Sequence, residues 1–237
     1  QDISGKVLQN FLFVLDYLDA KVFTSQRQYL LGYCYYKGIG VSKNYTEALK
    51  WLRNIAGKGH SEAQYMLGKC YDNGWGVAKD TDEAEKWYLR AAEQNHADAK
   101  YMLGEYYYEC SDEETAAYWY LRAARQGHLE AQYQLGNYYY FRDNDELNDI
   151  GKALHWYLKA AEKAHAGAQN RLGDLYLQGW CIEKDEEAAV KWYQKAAEQG
   201  HADAQCGLGS CICFGIGISK DEKEAVKWFH KAAEQGN

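Results

Sequence analysis

One phrase recurs along the chain and limits the folds that are open to it. The phrase "HADAKYMLGEYYY" at residues 96–108 returns as "HLEAQYQLGNYYY" at 128–140 and, more loosely, as "HSEAQYMLGKCY" at 60–71. Aligning the chain on its Leu-Gly pair divides it into six units, and self-similarity at such a period is the signature of a repeat architecture. The units run Ser25–His60, Ser61–His96, Ala97–His128, Leu129–His165, Ala166–His201 and Ala202–Asn237.

Each unit is predicted to contain two helices joined by a glycine turn. In the second unit, apolar or small residues recur at helical spacing and form a stripe for burial: Ala63, Leu67, Gly68, Cys70 and Tyr71. The turn that follows, "NGWGV" at 73–77, recurs as "KGIGV" at 37–41 and "FGIGI" at 214–218. Paired glycines permit positive φ and a tight reversal of the chain. The third unit lacks this turn, and the fourth replaces it with the acidic "RDNDELND".

The second helix of every unit is predicted to begin after an Asx residue, the usual N-cap. These residues are Asn44, Asp80, Asp112, Asp149, Asp185 and Asp221. Along this helix an Ala precedes a Trp by three positions and a small residue follows by four, so the three share one face. We expect the Trp to fill the space between helices. One helix pair cannot bury such a face alone, so the units must stack into a solenoid.

The spaced pattern "AxAQxxLGxxYxxGxGVxxDxxxAxxWYxKAAEQGH" resembles the Sel1-like repeat, a relative of the tetratricopeptide repeat. The resemblance covers residues 25–237 and implies an all-α fold, a right-handed α/α superhelical solenoid of six helix-turn-helix repeats. It also implies a protein-interaction adaptor without catalysis of its own. Residues 1–24 fit the pattern poorly, and their helical spacing favours a divergent N-terminal helical cap. Because the chain stops at a repeat end, we expect it to be a fragment of a longer protein.

Composition excludes several classes of protein. The chain has 47% hydrophobic residues, no proline and no apolar run long enough for a membrane span. Its formal net charge of −7 argues against a nucleic-acid binder, which needs a basic face for phosphates. Seven irregularly spaced cysteines favour a reducing compartment and hence the cytoplasm, with secretion and the endoplasmic reticulum lumen as open alternatives.

The histidines and cysteines of the chain do not predict a metal or catalytic site. Equivalent histidines of stacked units, such as His60 and His96, lie roughly 10 Å apart, the usual helix-packing distance, and cannot share one ion. We interpret them as packing residues at the turn between units. Cys206, Cys211 and Cys213 lie on one helix at poor spacing for a metal. The sequence "NYT" at 44–46 fits a glycosylation sequon, but helix capping explains its Asn. We therefore expect no enzyme activity, no cofactor and no metal, and a Ser-x-x-Lys hydrolase motif is absent from the sequence.

The face of each first helix that lies opposite the buried stripe is the predicted binding surface. By resemblance to tetratricopeptide-like solenoids, this face lines a concave groove. It holds seven acids against one lysine, with tyrosines between them, which favours a peptide or protein partner that carries Lys or Arg. The predicted partner-binding residues are Tyr29, Tyr33, Tyr36, Glu62, Tyr65, Asp72, Asp98, Tyr101, Glu105, Tyr108, Glu130, Tyr133 and Tyr140.

Three alternatives to this binding surface stay open at the sequence level. The tyrosines at the fifth position of each unit can instead pack between neighbouring first helices. The acids can serve only to keep a solvated face soluble. The protein can also be a structural solenoid, a homo-oligomer that self-associates through its terminal repeats, where Trp228 and Phe229 lie.

Overall fold

The computed structural model describes residues 24–142, 147–179 and 182–235. Over these residues it contains twelve α-helices and no strand, which confirms the predicted all-α class. The expected N-terminal cap and Cys181 lie outside the described residues, as does most of the acidic loop at 142–149. The helices are α1 (Thr24–Lys37), α2 (Tyr45–Ala56), α3 (Ser61–Asn73), α4 (Thr81–Glu93), α5 (Ala97–Glu109), α6 (Glu113–Ala124), α7 (Leu129–Phe141), α8 (Leu147–Glu162), α9 (Ala166–Gln178), α10 (Glu186–Glu198), α11 (Ala202–Phe214) and α12 (Glu222–Ala233).

The chain forms two compact units, Gln1–Asp112 and Glu113–Asn237. In the first unit, each of the helices α1 to α5 packs against its neighbours in sequence, and in the second unit α6 to α12 do the same. Odd-numbered helices are the first helices of their repeats and even-numbered helices are the second. Within each unit, consecutive helices are thus alternately the two helices of one repeat and helices of adjoining repeats.

In three of the repeats, a glycine of the first helix packs against a tyrosine ring of the second helix. A Cβ placed on Gly68 of α3 would lie 2.6 Å from the ring of Tyr88 on α4. The same contact joins Gly136 to Tyr157 at 2.5 Å and Gly173 to Tyr193 at 2.6 Å. A side chain at the glycine would displace the ring, because such a distance is well inside van der Waals contact. The Leu-Gly pair of the repeat is thus a seat for a buried tyrosine.

The expectation that the Trp of each second helix fills the space between helices holds in part, because Trp87, Trp192 and Trp228 pack against the core but are not fully buried. In five repeats the residue after the Trp is the buried one: Leu52, Tyr88, Tyr120, Tyr157 and Tyr193. The tryptophans are half-buried, and several are covered by a basic side chain three residues later. The cation lies 4.4 Å from the ring centroid for Arg90 on Trp87, 4.1 Å for Lys195 on Trp192 and 3.9 Å for Lys231 on Trp228. Cation–π attraction and the aliphatic stems of these side chains shield the outer edge of the indoles.

The predicted Asx caps are confirmed for four of the second helices. The side chains of Asn44, Asp80, Asp185 and Asp221 accept hydrogen bonds from backbone N–H groups of the first turn. Asp149 does not cap a helix, because α8 begins earlier, at Leu147. The Asp149 carboxylate lies inside α8 and pairs with Lys152 at 2.7 Å.

The glycine turn packs against the preceding repeat. Gly76, at φ 73°, lies so close to the start of α2 that an added Cβ would lie 2.6 Å from the carbonyl carbon of Tyr45. Gly217, at φ 62°, has the same relation to the start of α10, where the distance to the carbonyl oxygen of Glu186 is 2.3 Å. The turn therefore covers the first residues of the second helix in the repeat before it. In the described part of the chain, no helix is long and apolar enough to cross a bilayer.

Candidate partner-binding face

The histidine that ends each repeat is the N-cap of the next first helix. The Nδ1 atom of His96 accepts from the backbone N–H of Ala99 at 3.3 Å, and His60, His128, His165 and His201 cap their helices in the same way. Because Nδ1 accepts a hydrogen bond, the proton of the neutral ring is on Nε2. The histidines thus have a defined structural role, more specific than the packing that the sequence suggested.

The Nε2 atom of two of these histidines reaches back to a carboxylate of the preceding first helix. It lies 2.8 Å from Glu62 for His96 and 3.1 Å from Glu130 for His165. This hydrogen bond lowers the pKa of both glutamates below the usual value of 4.5. Two predicted face acids therefore have an internal partner, although both carboxylates stay partly open to solvent.

A tyrosine stacks on each of three of these histidines. The ring centroids are 4.8 Å apart for Tyr29 and His60, 4.7 Å for Tyr65 and His96, and 4.5 Å for Tyr133 and His165. Burial raises the pKa of Tyr29 and Tyr65 to about 12, so these phenols are neutral at physiological pH. The fifth-position tyrosines therefore pack as the sequence alternative proposed. Their half-buried rings nevertheless form part of the surface.

The remaining predicted acids of the first unit lie along α3 and α5. Asp72 accepts a hydrogen bond from the hydroxyl of Tyr88 at 3.4 Å. The charge of Asp98, together with burial, raises the pKa of Tyr65. Glu105 and Tyr101 line one cavity together with Asp72. Burial of Tyr88 also raises the pKa of its hydroxyl, which stays protonated and donates.

The prediction that Tyr36 lies on the binding face is wrong. The residue is only 7% exposed. Its ring meets those of Tyr45 and Trp75 edge-on, each at a centroid distance of 5.6 Å. Trp75 belongs to the glycine turn of the next repeat and stacks on Tyr45 at 5.2 Å. The turn thus buries Tyr36, which leaves it unavailable to a partner.

The other predicted tyrosines differ in their exposure. Tyr108 is 61% exposed. Tyr33 is half-buried, with the ammonium of Lys37 5.9 Å from its ring centroid. Tyr140 is half-buried in the second unit, where the guanidinium of Arg171 lies 5.7 Å from its ring centroid. Its hydroxyl lies 3.5 Å from the side chain of Gln178.

Sequence reasoning missed a buried glutamine link between helices. The amide Nε2 of each of four glutamines donates to a backbone carbonyl of the preceding second helix at 3.0–3.2 Å. They are Gln64, Gln132, Gln169 and Gln205. Each follows the "A" of the "AQ" dipeptide, and that recurrence at a position next to the apolar stripe was the available signal. Lys100 replaces the glutamine in the third repeat and is fully buried, with its ammonium bonded to Asn95.

The fifth repeat departs from the pattern of histidine, acid and tyrosine. Gly167 and Asn170 stand where the second repeat has Glu62 and Tyr65. Asn170 is 6% exposed, and among the described residues its Oδ1 has no hydrogen-bond partner. Burial lowers the pKa of His201, the histidine that closes this repeat. The predicted ladder of tyrosines therefore ends at Tyr133.

Three cysteines of the described residues are buried thiols of low reactivity. Burial raises the pKa of the Cys70 thiol to about 11 and also raises those of Cys34 and Cys211. These thiols stay protonated and are poor nucleophiles at physiological pH. Within ranges 24–142, 147–179 and 182–235, no group of three or more His, Cys, Asp or Glu side chains is arranged to hold a metal ion.

Comparison with known proteins agrees with this geometry. The family model described as "Sel1 repeat" matches residues 28–60, 61–96, 97–128, 129–165, 166–201 and 202–237. The chain belongs to the Sel1 repeat family. The predicted resemblance and the repeat solenoid class are thereby confirmed. A search of curated protein sequences finds no match.

Several solved structures are similar over most of the chain. A Sel1 repeat protein from Oxalobacter formigenes is 32% identical, with a TM-score of 0.78, and the match covers 98% of this chain and 96% of that one. The protective antigen c5321 of uropathogenic Escherichia coli, which has an SLR fold, is 29% identical, with a TM-score of 0.57, over 89% of this chain and 53% of that one. The immunity protein Pa5087 of Pseudomonas aeruginosa, at 19% identity and a TM-score of 0.50 over 92% of this chain and 85% of that one, shares the fold alone.

Sel1 repeat proteins generally act as scaffolds for protein–protein interaction and are typically non-catalytic. Family membership therefore gives this chain a general role in protein binding. The chemistry of the partner and the residues that contact it are questions for the surface of this particular chain.

Proposed function

We propose that this Sel1 repeat protein is a non-catalytic scaffold that binds a Lys- or Arg-bearing peptide or protein segment. The binding surface is the face of α1, α3 and α5 in the first unit. The observation that carries the proposal is the composition of this face: it presents four carboxylates together with the half-buried rings of tyrosines. The carboxylates belong to Glu62, Asp72, Asp98 and Glu105.

Electrostatics supports a basic partner. Hydrogen bonding to His96 holds Glu62 in its charged form, because it lowers the pKa of that carboxyl. Closely spaced charges of one sign add their potentials and raise the local concentration of oppositely charged ligands. Two lysines lie at this face, Lys69 at 5.6 Å from the ring centroid of Tyr65 and Lys37 at 5.9 Å from that of Tyr33, and they offset only part of the charge of the four carboxylates.

The tyrosine rings supply the apolar part of the surface. Tyr29 and Tyr65 are fixed by their stacks on His60 and His96, so a partner does not have to order them on binding. A rigid ring with a polar tip gives a large contact area at low entropic cost. One side of each ring packs on a histidine, and the other side is left for contact with a partner.

Peptide display tests the proposal directly. A library of random 12-residue peptides is selected on the wild-type chain and, in parallel, on Glu62→Gln/Asp98→Asn. The amide that replaces the Glu62 carboxylate keeps an oxygen that accepts from His96, so the hydrogen bond is retained while the charge is lost. We expect the wild type to enrich Lys and Arg, and the variant to bind the selected peptides about tenfold more weakly at low salt. Their affinity for the wild type should also fall as salt screens the charges.

A control variant separates the charge of the face from the charge of the whole chain. Glu47→Gln/Glu93→Gln removes two charges from second helices and should leave the affinity of the selected peptides unchanged. Enrichment of acidic or purely apolar peptides would contradict the proposal. Equal loss of affinity in both double variants would show that net charge, and not this face, attracts the peptides.

Self-association through the last repeat is a second candidate function, favoured by one observation. Val190 of α10 is 5% exposed, whereas Val226, at the equivalent position of α12, is 51% exposed. The exposed side chain of Phe214 lies in the same repeat. Because the equivalent valine is buried in the fifth repeat, its exposure in the last repeat favours the packing of a further helix against Val226.

Analytical ultracentrifugation across a hundredfold range of concentration tests this second candidate. Mass that rises with concentration, and that returns to the monomer value in Val226→Glu, is the expected result for self-association. The control Lys223→Glu changes charge on the same helix and should not dissociate the assembly. A constant monomer mass for the wild type would remove this candidate.

A further inference from the structure

The third repeat differs from its neighbours at the place where a glycine turn normally packs. Gly76 covers the first residues of α2, and Gly217 covers those of α10. In the third repeat α5 ends at Glu109, and only residues 110–112 separate it from the next helix. No glycine turn is therefore available to cover the first residues of α4, which start at Thr81.

A cavity of about 270 Å³ lies at this place in the first unit. Thr81 and Ala84 of α4 form one wall, and the end of α5 at Glu109 forms another. Cavities that bind whole small molecules span about 300–1,000 Å³. A space just below that range suits one long side chain of a bound segment.

Three tyrosines and three carboxylates dominate the lining of the cavity. The tyrosines are Tyr88, Tyr101 and Tyr106, and the carboxylates belong to Asp72, Glu105 and Glu109. Among the described residues that line the cavity, none is basic. Aromatic faces attract cations, and carboxylates pair with them, so the lining is complementary to a positive charge.

Two of the tyrosine hydroxyl groups that line the cavity donate hydrogen bonds to carboxylates. The hydroxyl of Tyr88 donates to Asp72, and that of Tyr106 donates to Asp82, each at 3.4 Å. Burial and nearby carboxylates raise the pKa of Tyr106 to about 12, so this phenol stays a neutral donor.

The start of α4 does not cancel this charge. A helix N-terminus carries a partial positive charge of about half a unit, which repels cations. Here the Asp80 side chain caps the helix, and Asp82 and Glu83 lie in its first turn. These acids outweigh the partial charge of the helix end.

We propose that this cavity binds an arginine side chain of the partner. Guanidinium is favoured over the ammonium of lysine because its plane stacks on tyrosine rings and its fork of donors bonds carboxylates in pairs. The inference rests on the proposed function, since it assigns one pocket of the basic-segment site. It predicts that the partner's segment places an arginine beside the break in the glycine turns.

Nuclear magnetic resonance with small probes tests the cavity by itself. N-acetyl-arginine amide is titrated into the ¹⁵N-labelled chain, beside its lysine analogue and the neutral isostere N-acetyl-citrulline amide. We expect saturable shifts of the backbone amides of Thr81, Ala84, Tyr101 and Tyr106 with the arginine probe. The lysine probe should bind more weakly, and the citrulline probe should give no saturable shift.

Two matched variants test which carboxylates the arginine probe needs for binding. Glu105→Gln/Glu109→Gln should weaken arginine-probe binding at least about tenfold, because it removes two lining charges. Glu47→Gln/Glu93→Gln removes two charges from second helices, outside the lining of the cavity, and should leave the probe affinity within a factor of about two. The dispersion of the amide spectrum confirms that each variant is folded.

The outcomes separate this inference from the proposed function. If arginine and citrulline probes shift the same amides equally, or if Glu105→Gln/Glu109→Gln binds like the wild type, the arginine pocket is wrong. Selected basic peptides that still depend on Glu62 and Asp98 would then leave the proposed function standing. Conversely, saturable arginine binding in the cavity, without enrichment of basic peptides, would support the pocket and overturn the wider face.

Discussion

The imidazole of His96 joins two repeats, since its Nδ1 atom caps α5 while its Nε2 atom lies 2.8 Å from the carboxylate of Glu62 on α3. The ring of Tyr65 stacks on the same imidazole at 4.7 Å. One side chain thus fixes the start of a helix, the spacing to the preceding first helix and the orientation of a surface tyrosine. Any change of His96 should affect both stability and the binding face.

The first prediction separates the contribution of the His96 helix cap to stability from that of the hydrogen bond between His96 and Glu62. His96→Ala loses the cap, the Glu62 hydrogen bond and the stack, and should lower the free energy of unfolding by about 1–3 kcal/mol. His96→Asn keeps a good capping residue and should recover about 1 kcal/mol of that loss. Glu62 is partly exposed, so its pair with His96 contributes below about 1 kcal/mol.

Urea denaturation of the three proteins, followed by circular dichroism, measures these differences. His230→Ala is the control, because His230 is exposed on α12 and caps no helix; it should stay within about 0.5 kcal/mol of the wild type. Equal stability of His96→Asn and His96→Ala would show that the capping bond contributes nothing measurable.

A second prediction concerns the seat of the buried tyrosine. In Gly68→Ala the new methyl group would lie 2.6 Å from the buried ring of Tyr88, so the ring would have to shift out of its packed position. Overpacking of this kind costs about 1–3 kcal/mol, more than the roughly 1 kcal/mol that alanine gains in helix propensity. Gly151→Ala, in α8, meets nothing within 4 Å and should stabilise the chain by about 0.5–1 kcal/mol. Thermal unfolding curves should move in opposite directions; a rise for both would contradict the steric argument.

These contacts show which parts of the fold were predictable. The helices, four of the six Asx caps and the buried stripe recur in sequence with a fixed period, so local patterns were enough to find them. The sequence did not predict which of Trp87 and Tyr88 is the buried ring. Adjacent residues point about 100° apart on a helix, and either of the two aromatic residues can face the core. Gly68 held the missing information, since its lack of a side chain marks where the ring sits.

The binding face was less predictable than the fold, for a related reason. Tyr36 has the helical spacing of a face residue, yet Trp75 from the next repeat covers it. The partner is 39 residues away in sequence, and periodicity within one helix carries no information about it. The cavity beside Glu109 borders the repeat that lacks the glycine turn, a feature that the sequence does show. Its lining comes from three helices whose packing only the structure supplies.

A third prediction concerns pH. The pKa values of Glu62 and Glu130 are lowered in the folded chain, so their contribution to stability is complete above the ordinary value of 4.5 and is lost as the pH falls through the folded value. Burial lowers the pKa of His201 below 6.5, so the unfolded chain takes up this proton first. Stability should therefore begin to decline below about pH 6.5 and decline further below about pH 4.5.

Two variants test which side chains cause each part of the decline in stability with falling pH. Unfolding free energies are measured in urea between about pH 4 and pH 8. His201→Asn, which keeps a capping side chain, should flatten the upper part of the decline, between the ordinary pKa values of histidine and glutamate. Glu62→Gln/Glu130→Gln should flatten the part below the ordinary pKa of glutamate. A profile for His201→Asn that parallels the wild type over the whole range would remove His201 from this account.

The last prediction tests the packing of the glycine turn on the preceding repeat, the contact whose absence defines the cavity. Gly217 and Gly200 both have positive φ, so alanine at either position costs about 1 kcal/mol of backbone strain. At Gly217 the methyl group would also lie 2.3 Å from the carbonyl oxygen of Glu186, whereas at Gly200 it meets nothing within 4 Å. Gly217→Ala should therefore be at least about 2 kcal/mol less stable than Gly200→Ala. Hydrogen exchange should show the extra loss at the first amides of α10. If the two variants unfold at the same urea concentration, the glycine turn does not pack tightly on the second helix of the preceding repeat. The absence of the turn from the third repeat would then not explain the cavity there.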